Sequence, residues 1–228
     1  MSEVEPPLGH YAIIFANGDL VDGPAVRQVL SELPMGPDGL LIAADGGARH
    51  ALFLGLTPHL VIGDFDSLTE PELDQLASMG AELRRYPAHK DETDLELALL
   101  IAAARGANPI RVIGGIGDRL DQTLANVYLL ALPQLRGHDV RLVSGKQTAW
   151  LVYPGETLIS GQPGDTLSLL PLGGPVDDIR TAGLQYPLRG ETLAFGPARG
   201  ISNVLQSSPV HISFTHGTLL VIHTIGRA

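Results

Sequence analysis

The sequence contains no cysteine and no long apolar run, and both absences limit what the protein can be. Without cysteine there can be no disulfide, no thiolate nucleophile and no cysteine-ligated zinc site, and the composition is typical of a reducing compartment. No apolar stretch approaches the ~20 residues that a membrane-spanning helix needs. The acidic first residues, MSEVEPPLGH, lack the positive-then-apolar pattern of a signal peptide. We therefore expect a cytoplasmic protein that does not enter a membrane.

Positive charge is also scarce. Lys90 and Lys146 are the only lysines, and 15 Lys and Arg against 25 Asp and Glu give a formal net charge of −10. This composition disfavours binding to nucleic acids or anionic membranes, both of which require clustered Lys and Arg. Any site for a phosphorylated ligand must therefore create its own local positive field, and arginines must supply most of it.

The first two thirds of the chain contain a regular alternation of strand-like and helix-like segments. Apolar runs such as LLIAAD (40–45) and LVIGDF (60–65) alternate with helix-like segments such as EPELDQLASMG (70–80) and DLELALLIAAARG (94–106). This order predicts an α/β fold in which a mostly parallel sheet is covered by helices on both faces. Aromatic residues make up only 5% of the chain, so Val, Leu, Ile and Ala must fill most of the core.

From about residue 148 the pattern changes to short strand-like runs separated by Gly and Pro, such as GDTLSLLPLGG and TLLVIHTIG. This pattern predicts an all-β sandwich or barrel. We place the boundary near residue 147, which divides the chain into an α/β domain, residues 1–147, and a β domain, residues 148–228. A chain of 228 residues is long enough for one medium and one small domain.

Carboxylates follow several predicted strands at their carboxyl ends, where parallel α/β sheets bind ligands. They are Asp45, the pair Asp64 and Asp66, Asp91 and Asp94 of the segment KDETD, and Asp118 and Asp121. Converging carboxylates supply the oxygen ligands that Mg²⁺ prefers, and Mg²⁺ can bridge them to substrate phosphates.

Three of these acids also have an ordinary structural interpretation. Asp45 could begin a turn into a helix, and the spacing of Asp91 and Asp94 resembles a capping box. Asp64 and Asp66 differ, because two carboxylates one residue apart on an extended chain point the same way and repel each other unless a cation lies between them. The pair in DFDS is therefore the strongest candidate for a metal site.

The glycine-rich segment GGIGDRLDQ (114–122) follows an apolar strand and opens a helix, where backbone N–H groups can face a phosphate. Leu120 stands where the third glycine of G-x-G-x-x-G would be, and no G-x-x-x-x-G-K-[ST] motif occurs. Dinucleotide binding and a P-loop are therefore disfavoured. Arg119 could reach a phosphate from the first turn of the helix, or it could simply be solvated.

The motifs ADGGARH, VIGDFDSL, KDETDLELAL and GGIGDRLDQTLAN, in this order and at these spacings, resemble the thiamine pyrophosphokinase family. AGLQYPL (182–188) and GISNVL (200–205) are similar to the thiamine-binding C-terminal domain of that family. The resemblance implies transfer of a pyrophosphoryl group from ATP to the hydroxyl of thiamine, giving thiamine diphosphate and AMP. It also implies a homodimer in which each acceptor site is completed by the β domain of the second copy.

The resemblance further implies roles for individual residues. Asp64, Asp66 and Asp94 would hold Mg²⁺ and the ATP phosphates. Independently of the resemblance, the chemistry of the transfer allows a neighbouring carboxylate, Asp94 or Asp121, to accept the proton of the alcohol. Further implied residues are Asp45, Lys90, Asp91, Gly115, Arg119 and Gln122 around the nucleotide, and Tyr186, Ser202 and Asn203 around thiamine. Two positions depart from the family: Asp118 stands where many relatives have glycine, and Gln185 replaces the more usual lysine.

Three other functions are compatible with parts of this pattern. A phosphatase with an Asp nucleophile would use the D-x-D pattern of DFDS and release inorganic phosphate, but here the motif follows the third predicted strand instead of opening the fold. A pyrophosphokinase for another alcohol, such as a pterin, would keep the ATP half and change the β domain. A non-catalytic nucleotide sensor would have no need for the full set of mutually repelling carboxylates.

Overall fold

The computed structural model describes residues 10–34, 36 and 38–227. The chain forms two compact units, Met1–Gly145 and Lys146–Ala228. Strands and helices alternate in the first unit, and a short 3-10 turn at Pro133–Leu135 precedes its last strand. These elements are β1 (Tyr11–Phe15), α1 (Pro24–Glu32), β2 (Gly39–Ala44), α2 (Gly47–Phe53), β3 (Leu60–Gly63), α3 (Glu70–Ser78), β4 (Glu82–Arg85), α4 (Asp94–Ala104), β5 (Ile110–Ile113), α5 (Leu120–Leu129) and β6 (Val140–Ser144).

The six strands of the first unit pair in the order β6-β5-β1-β2-β3-β4, and every pair is parallel. In the register of the central strands, Ile14 of β1 lies opposite Ile42 of β2 and Val112 of β5. All residues of β2 and β3 are buried, which requires cover on both faces of the sheet. The predicted α/β fold with a parallel sheet is therefore confirmed.

The strand order reverses at β1. The chain proceeds from β1 through β2 and β3 to β4 on one side and then returns to place β5 and β6 on the other. Such a reversal leaves a crevice at the carboxyl ends of the strands, where the connecting loops diverge and a ligand can enter. The loops that follow β1, β2, β3 and β5 therefore meet at this edge.

Two helices that begin at this edge have well-defined N-termini. The Thr93 hydroxyl accepts a hydrogen bond from Glu96 N at 3.2 Å, so Thr93 is the N-cap of α4 and Asp94 is its first residue. The alternative interpretation of Asp91 as the cap is therefore wrong. Thr69 and Glu72 form a capping box at the start of α3.

The second unit consists of two antiparallel sheets. Their strands pair in the orders β12-β9-β14-β7 and β11-β10-β13-β8. Residues of both sheets, including Trp150, Leu169 and Val221 of one and Ile179 and Phe214 of the other, form a common core, so the unit is a sandwich. The strands are β7 (Gln147–Val152), β8 (Gly155–Ile159), β9 (Thr166–Pro171), β10 (Val176–Ala182), β11 (Arg189–Leu193), β12 (Asn203–Val204), β13 (Val210–Phe214) and β14 (Leu219–Thr224).

Among the described residues, no helix has the length and apolar character required to span a bilayer.

Candidate active site

A cleft with a volume of about 520 Å³ opens at the carboxyl ends of the parallel strands. Its walls come from the segments that follow β1, β2, β3 and β5 and from the loop and first turn of α4. Acidic and amide side chains dominate it. The polar residues that line the cleft are Asn17, Asp19, Asp45, Asp64, Asp66, Ser67, Lys90, Thr93, Asp94, Asp118, Arg119, Gln122, Thr123 and Asn126.

Asp64 and Asp66 line the cleft on either side of a buried aromatic residue. The expectation of an extended chain here is wrong, because Phe65 between them has φ = 65°, in the left-handed region. Its side chain is only 6% exposed and packs with Leu73 and Leu76 of α3. The Asp66 N–H donates to Asp64 Oδ1 at 3.2 Å. The turn at Phe65 therefore buries the ring while both carboxylates remain at the cleft.

Three carboxylates form a compact cluster in this cleft. One oxygen each of Asp45, Asp64 and Asp66 can be chosen so that all three lie within 4.8 Å of one another. Asp45 is 5% exposed, and its Oδ1 has no hydrogen-bond partner among the described residues. A buried carboxylate oxygen without a donor, beside two further carboxylates, fits a hard divalent cation such as Mg²⁺.

The electrostatics of Asp45 agree with this geometry. Burial raises the pKa of the Asp45 carboxyl above its ordinary value and outweighs the lowering effects of hydrogen bonds from Ser67 and the Gly46 backbone. The charges of Asp66 and Asp94 add a smaller effect in the raising direction. Asp45 lies in the turn before α2, as the structural interpretation of the sequence suggested, but α2 has no side-chain cap. The carboxylate therefore faces the cleft without stabilising a helix end.

Gly63 allows a fourth carboxylate to approach the cluster. A Cβ atom at Gly63 would lie 3.1 Å from Asp45 Cβ and 3.2 Å from Asp94 Oδ2, and the residue has φ = 152°, a backbone conformation that side chains disfavour. The other oxygen of Asp94, Oδ1, lies 2.9 Å from Lys90 Nζ. The glycine thus brings Asp94 beside Asp45, and Lys90 neutralises part of the charge.

The opposite wall is formed where the loops after β1 and β5 pack closely. Gly18 N donates to Gly114 O at 2.8 Å, and a Cβ at Gly114 (φ = 74°) would lie 2.4 Å from Ala16 O. Asn126 Nδ2 of α5 donates to Gly115 O at 2.7 Å. These contacts hold the glycine-rich segment against β1, and Gln122 and Arg119 line the cleft from the start of α5.

Two predicted site residues, Asp91 and Asp121, lie outside this lining. Asp121 is exposed, and its carboxylate pairs with Arg119 at 2.6 Å. The hydrogen bond from Arg119 holds the pKa of Asp121 below its ordinary value. Asp91 is also exposed and does not line the cleft. The roles assigned to both residues by resemblance stay predictions.

The predicted thiamine-site residues lie in the second unit, where two of them are in direct contact. Asn203 is buried; its Oδ1 accepts from Tyr186 N at 3.0 Å and its Nδ2 donates to Tyr186 O at 2.7 Å. The Tyr186 side chain is 64% exposed. Ser202 has φ = 57°, and its N–H donates to Ser168 Oγ at 3.0 Å. Asn203 therefore fixes the backbone that presents the Tyr186 ring.

Six polar residues of the cleft were not identified from the sequence: Asn17, Asp19, Ser67, Thr93, Thr123 and Asn126. Asn17 Nδ2 donates to Ser67 Oγ at 3.1 Å, which connects the end of β1 to the loop after β3. The position of Asn17 directly after the first apolar run, YAIIFA, was an available signal, since each of the other cleft segments also follows a strand.

Comparisons with known proteins agree with this site. Residues 37–142 match the family "Thiamin pyrophosphokinase, catalytic domain" and residues 156–219 match "Thiamin pyrophosphokinase, vitamin B1 binding domain". The chain is 32% identical over 186 residues to thiamine pyrophosphokinase of Bacillus subtilis, covering 81% of this chain and 87% of the relative.

Solved structures show the same similarity. The crystal structure of the B. subtilis thiamine pyrophosphokinase has a TM-score of 0.82 and 28% identity, covering 94% of this chain and 99% of that one. A thiamin pyrophosphokinase family protein from Enterococcus faecalis has a TM-score of 0.81 and 26% identity, covering 95% of this chain and 100% of that one. Both family domains match in order, and a close relative covers most of the chain, so this chain belongs to the thiamine pyrophosphokinase family.

Proposed function

We propose that the protein transfers the pyrophosphoryl group of ATP to the hydroxyl of thiamine, giving thiamine diphosphate and AMP. The observation that carries this proposal is the carboxylate cluster of Asp45, Asp64 and Asp66, located in a chain that matches both the catalytic and the vitamin B1 binding domain of the family. Family membership makes the protein a kinase-type pyrophosphotransferase.

The donor set supports Mg²⁺ as the cofactor. Asp64 and Asp66 would hold it together with Asp45, whose Oδ1 has no hydrogen-bond donor among the described residues, and with Asp94 beside them. When bound, Mg²⁺ neutralises charge on the phosphates, which is the main requirement of phosphoryl-type transfer.

The remaining cleft residues account for positioning and charge. Lys90 and Arg119 are the cationic side chains that line the cleft among the described residues, and they would offset the phosphate charge that the metal leaves. The hydroxyl of thiamine loses its proton when it attacks the β-phosphorus. Asp94 lines the cleft whereas Asp121 does not, and this favours Asp94 as the proton acceptor.

For the acceptor, Tyr186 offers an exposed aromatic face. A cationic thiazolium ring is attracted to such a face by stacking and by the cation–π interaction. Ser202 and Asn203 complete this site in the proposal, with Asn203 acting through the Tyr186 backbone. Gln185 adds no charge here, so the aromatic face must contribute most of the attraction to the cation.

We also propose that the protein is a homodimer. None of the ten residues of α5, all of which are described, is buried. Leu120, Leu124 and Tyr128 are 69%, 45% and 59% exposed and, at a spacing of four, form one apolar stripe. A second copy would cover it. Leu124→Glu should then produce monomers in light scattering, whereas Met79→Glu, at an equally exposed position, should not.

A product assay tests the proposed reaction. With ATP, Mg²⁺ and thiamine, chromatography should show AMP and thiamine diphosphate in equal amounts. ADP or inorganic phosphate as the main product would refute the proposal and favour a phosphatase, and turnover only with a pterin alcohol would identify a different acceptor.

The cysteine-free composition favours a cytoplasmic location.

A further inference from the structure

The loop that carries Asp64 and Asp66 has a conformation that must be maintained by its surroundings. Phe65 has φ = 65°, a region that an aromatic residue rarely occupies and that persists only where neighbouring contacts enforce it. The direction of the two flanking carboxylates depends on this one residue. A side chain that keeps Phe65 in place therefore also sets the geometry of the metal-binding cluster.

Arg85 contacts both residues at the start of this loop. It is the last residue of β4 and lies opposite Gly63 in the parallel register. Its Nη1 donates to the carbonyl oxygen of Asp64 at 2.8 Å. Its guanidinium carbon lies 4.9 Å from the centroid of the Phe65 ring, within the range of a cation–π interaction.

The opposite end of the loop is held by a different arginine. Arg49 Nη2 donates to Ser67 O at 2.7 Å, but the same guanidinium also pairs with Glu72 of the α3 capping box. Arg49 thus contributes to a helix terminus as well as to the loop. Arg85 has no such second ion pair among the described contacts, so its effect is easier to isolate.

The position of Arg85 also separates its role from direct ligand binding. Arg85 does not line the cleft, whereas Lys90 and Arg119 do. It interacts with a backbone carbonyl and a ring face, both on the loop, instead of with the space where phosphates would bind. Groups that orient metal ligands in this way typically change metal affinity or activity about 10–100-fold when they are removed.

We propose that Arg85 is a positioning residue that keeps Phe65 in its left-handed conformation and thereby orients the Asp64 and Asp66 carboxylates toward a divalent cation. This inference rests on the proposed function, because it assumes that these carboxylates bind the metal. Arg85→Met removes the hydrogen bond and the cation but keeps an unbranched apolar side chain of similar length. Arg85→Lys retains a cation near Phe65 and one donor.

The neighbouring residue Arg84 provides a matched control. It lies on the same strand, and its guanidinium pairs with Glu82 at 2.6 Å. Arg84→Met therefore removes one positive charge from the adjacent position of β4, where the side chain points to the other face of the sheet. A general loss of charge on β4 should affect both variants equally.

The experiment measures Mn²⁺ binding to the full chain by electron paramagnetic resonance, together with melting temperature and the KM for ATP with Mg²⁺. We expect Arg85→Met to weaken Mn²⁺ affinity about tenfold and to raise this KM. Arg85→Lys should lie between it and the wild type, and Arg84→Met should match the wild type. Comparable melting temperatures would show that the loss is local.

Two results would overturn the inference: Arg85→Met with the Mn²⁺ affinity of the wild type, or the same loss of affinity in Arg84→Met. The proposed function is tested separately. A wild-type protein that binds Mn²⁺ through Asp64 and Asp66 but forms no thiamine diphosphate would refute the proposed reaction and leave the role of Arg85 intact. Absence of Mn²⁺ binding by the wild type would refute both.

Discussion

Replacing Asp45 by asparagine should stabilise the protein without a divalent cation and reduce its response to one. Carboxylate oxygens of Asp45, Asp64 and Asp66 lie within 4.8 Å of one another. Two unit charges at this distance repel by about 3.5 kcal/mol at an effective dielectric constant of ~20. Asp66 is exposed, so solvent screening reduces the repulsion to about 1 kcal/mol per pair. Removal of one of the three charges eliminates two of the three repulsions, or about 1–2 kcal/mol.

The assay is thermal unfolding with a chelator and with saturating Mg²⁺. With the chelator, Asp45→Asn should melt a few degrees above the wild type, because 1 kcal/mol corresponds to about 2–4 °C in a protein of this size. With Mg²⁺ at about 100 times its Kd, the wild type gains about 2.7 kcal/mol. The variant has lost one ligand, so it should gain less, and its turnover should fall.

The stability of the metal-free protein should change with pH in a defined direction. Burial raises the pKa of Asp45 above 3.8 in the folded protein, so the folded state binds this proton more tightly than the unfolded state does. The stability of the metal-free wild type should therefore decrease as the pH rises from about 3.8 through the folded-state pKa, and Asp45→Asn should lack this decrease. The difference between the two proteins should be greatest at neutral pH.

Asp139 provides a control, because its pKa is shifted in the opposite direction to that of Asp45. Burial alone would raise its pKa, but the hydrogen bonds and charges of Arg141 and Arg111 outweigh burial and lower it. Asp139→Asn should therefore melt below the wild type with or without Mg²⁺. If Asp45→Asn also melted below the wild type in the chelator, the Asp45 carboxylate would be stabilised by its surroundings and would not be an unpartnered charge.

Three further predictions concern catalysis, the acceptor and acid stability. Asp64→Asn should reduce turnover by about two orders of magnitude or more with little change in melting temperature, and near-normal activity would contradict its assignment to the metal. Tyr186→Ala should raise the KM for thiamine more than that for ATP, while Tyr186→Phe should preserve it; equal effects on both substrates would remove Tyr186 from the acceptor site. Hydrogen bonds from Arg49 and Thr69 lower the pKa of Glu72 from 4.5 to about 2, so its stabilisation is present above pH 4.5 and lost as the pH falls toward 2. In urea titrations Glu72→Gln should be less stable than the wild type at pH 7 and equal to it near pH 2, and a constant difference across this range would rule out the ion pair as the cause.

Local patterns in the sequence were sufficient to predict the elements of the first unit. Strands β2 and β3 are buried on both faces and therefore appear as continuous apolar runs, which is independent of any partner. The segment predicted as helical over residues 94–106 forms α4 at Asp94–Ala104. In the second unit, the predicted strand-like runs did not include β10, because Asp177 and Asp178 interrupt its apolar pattern. The pairing of β10 with β11 has register shifts there, and Asp178 has φ = 52°.

In the candidate site, some features could likewise be predicted from the sequence and others depended on the tertiary structure. By itself the sequence determined which carboxylates follow parallel strands, because residue order alone specifies a strand end, and Asp45, Asp64, Asp66 and Asp94 do line one cleft. Tertiary structure alone decided that Phe65 turns the loop, that Arg85 holds it, and that Asp121 pairs with Arg119 outside the cleft lining. The first depends on a single backbone torsion, the second on a contact between distant parts of the chain, and the third on the conformation of two neighbouring side chains. None of these leaves a periodic pattern in the sequence. The raised pKa of Asp45 has the same origin, since burial and neighbouring charge exist only after the strands have assembled.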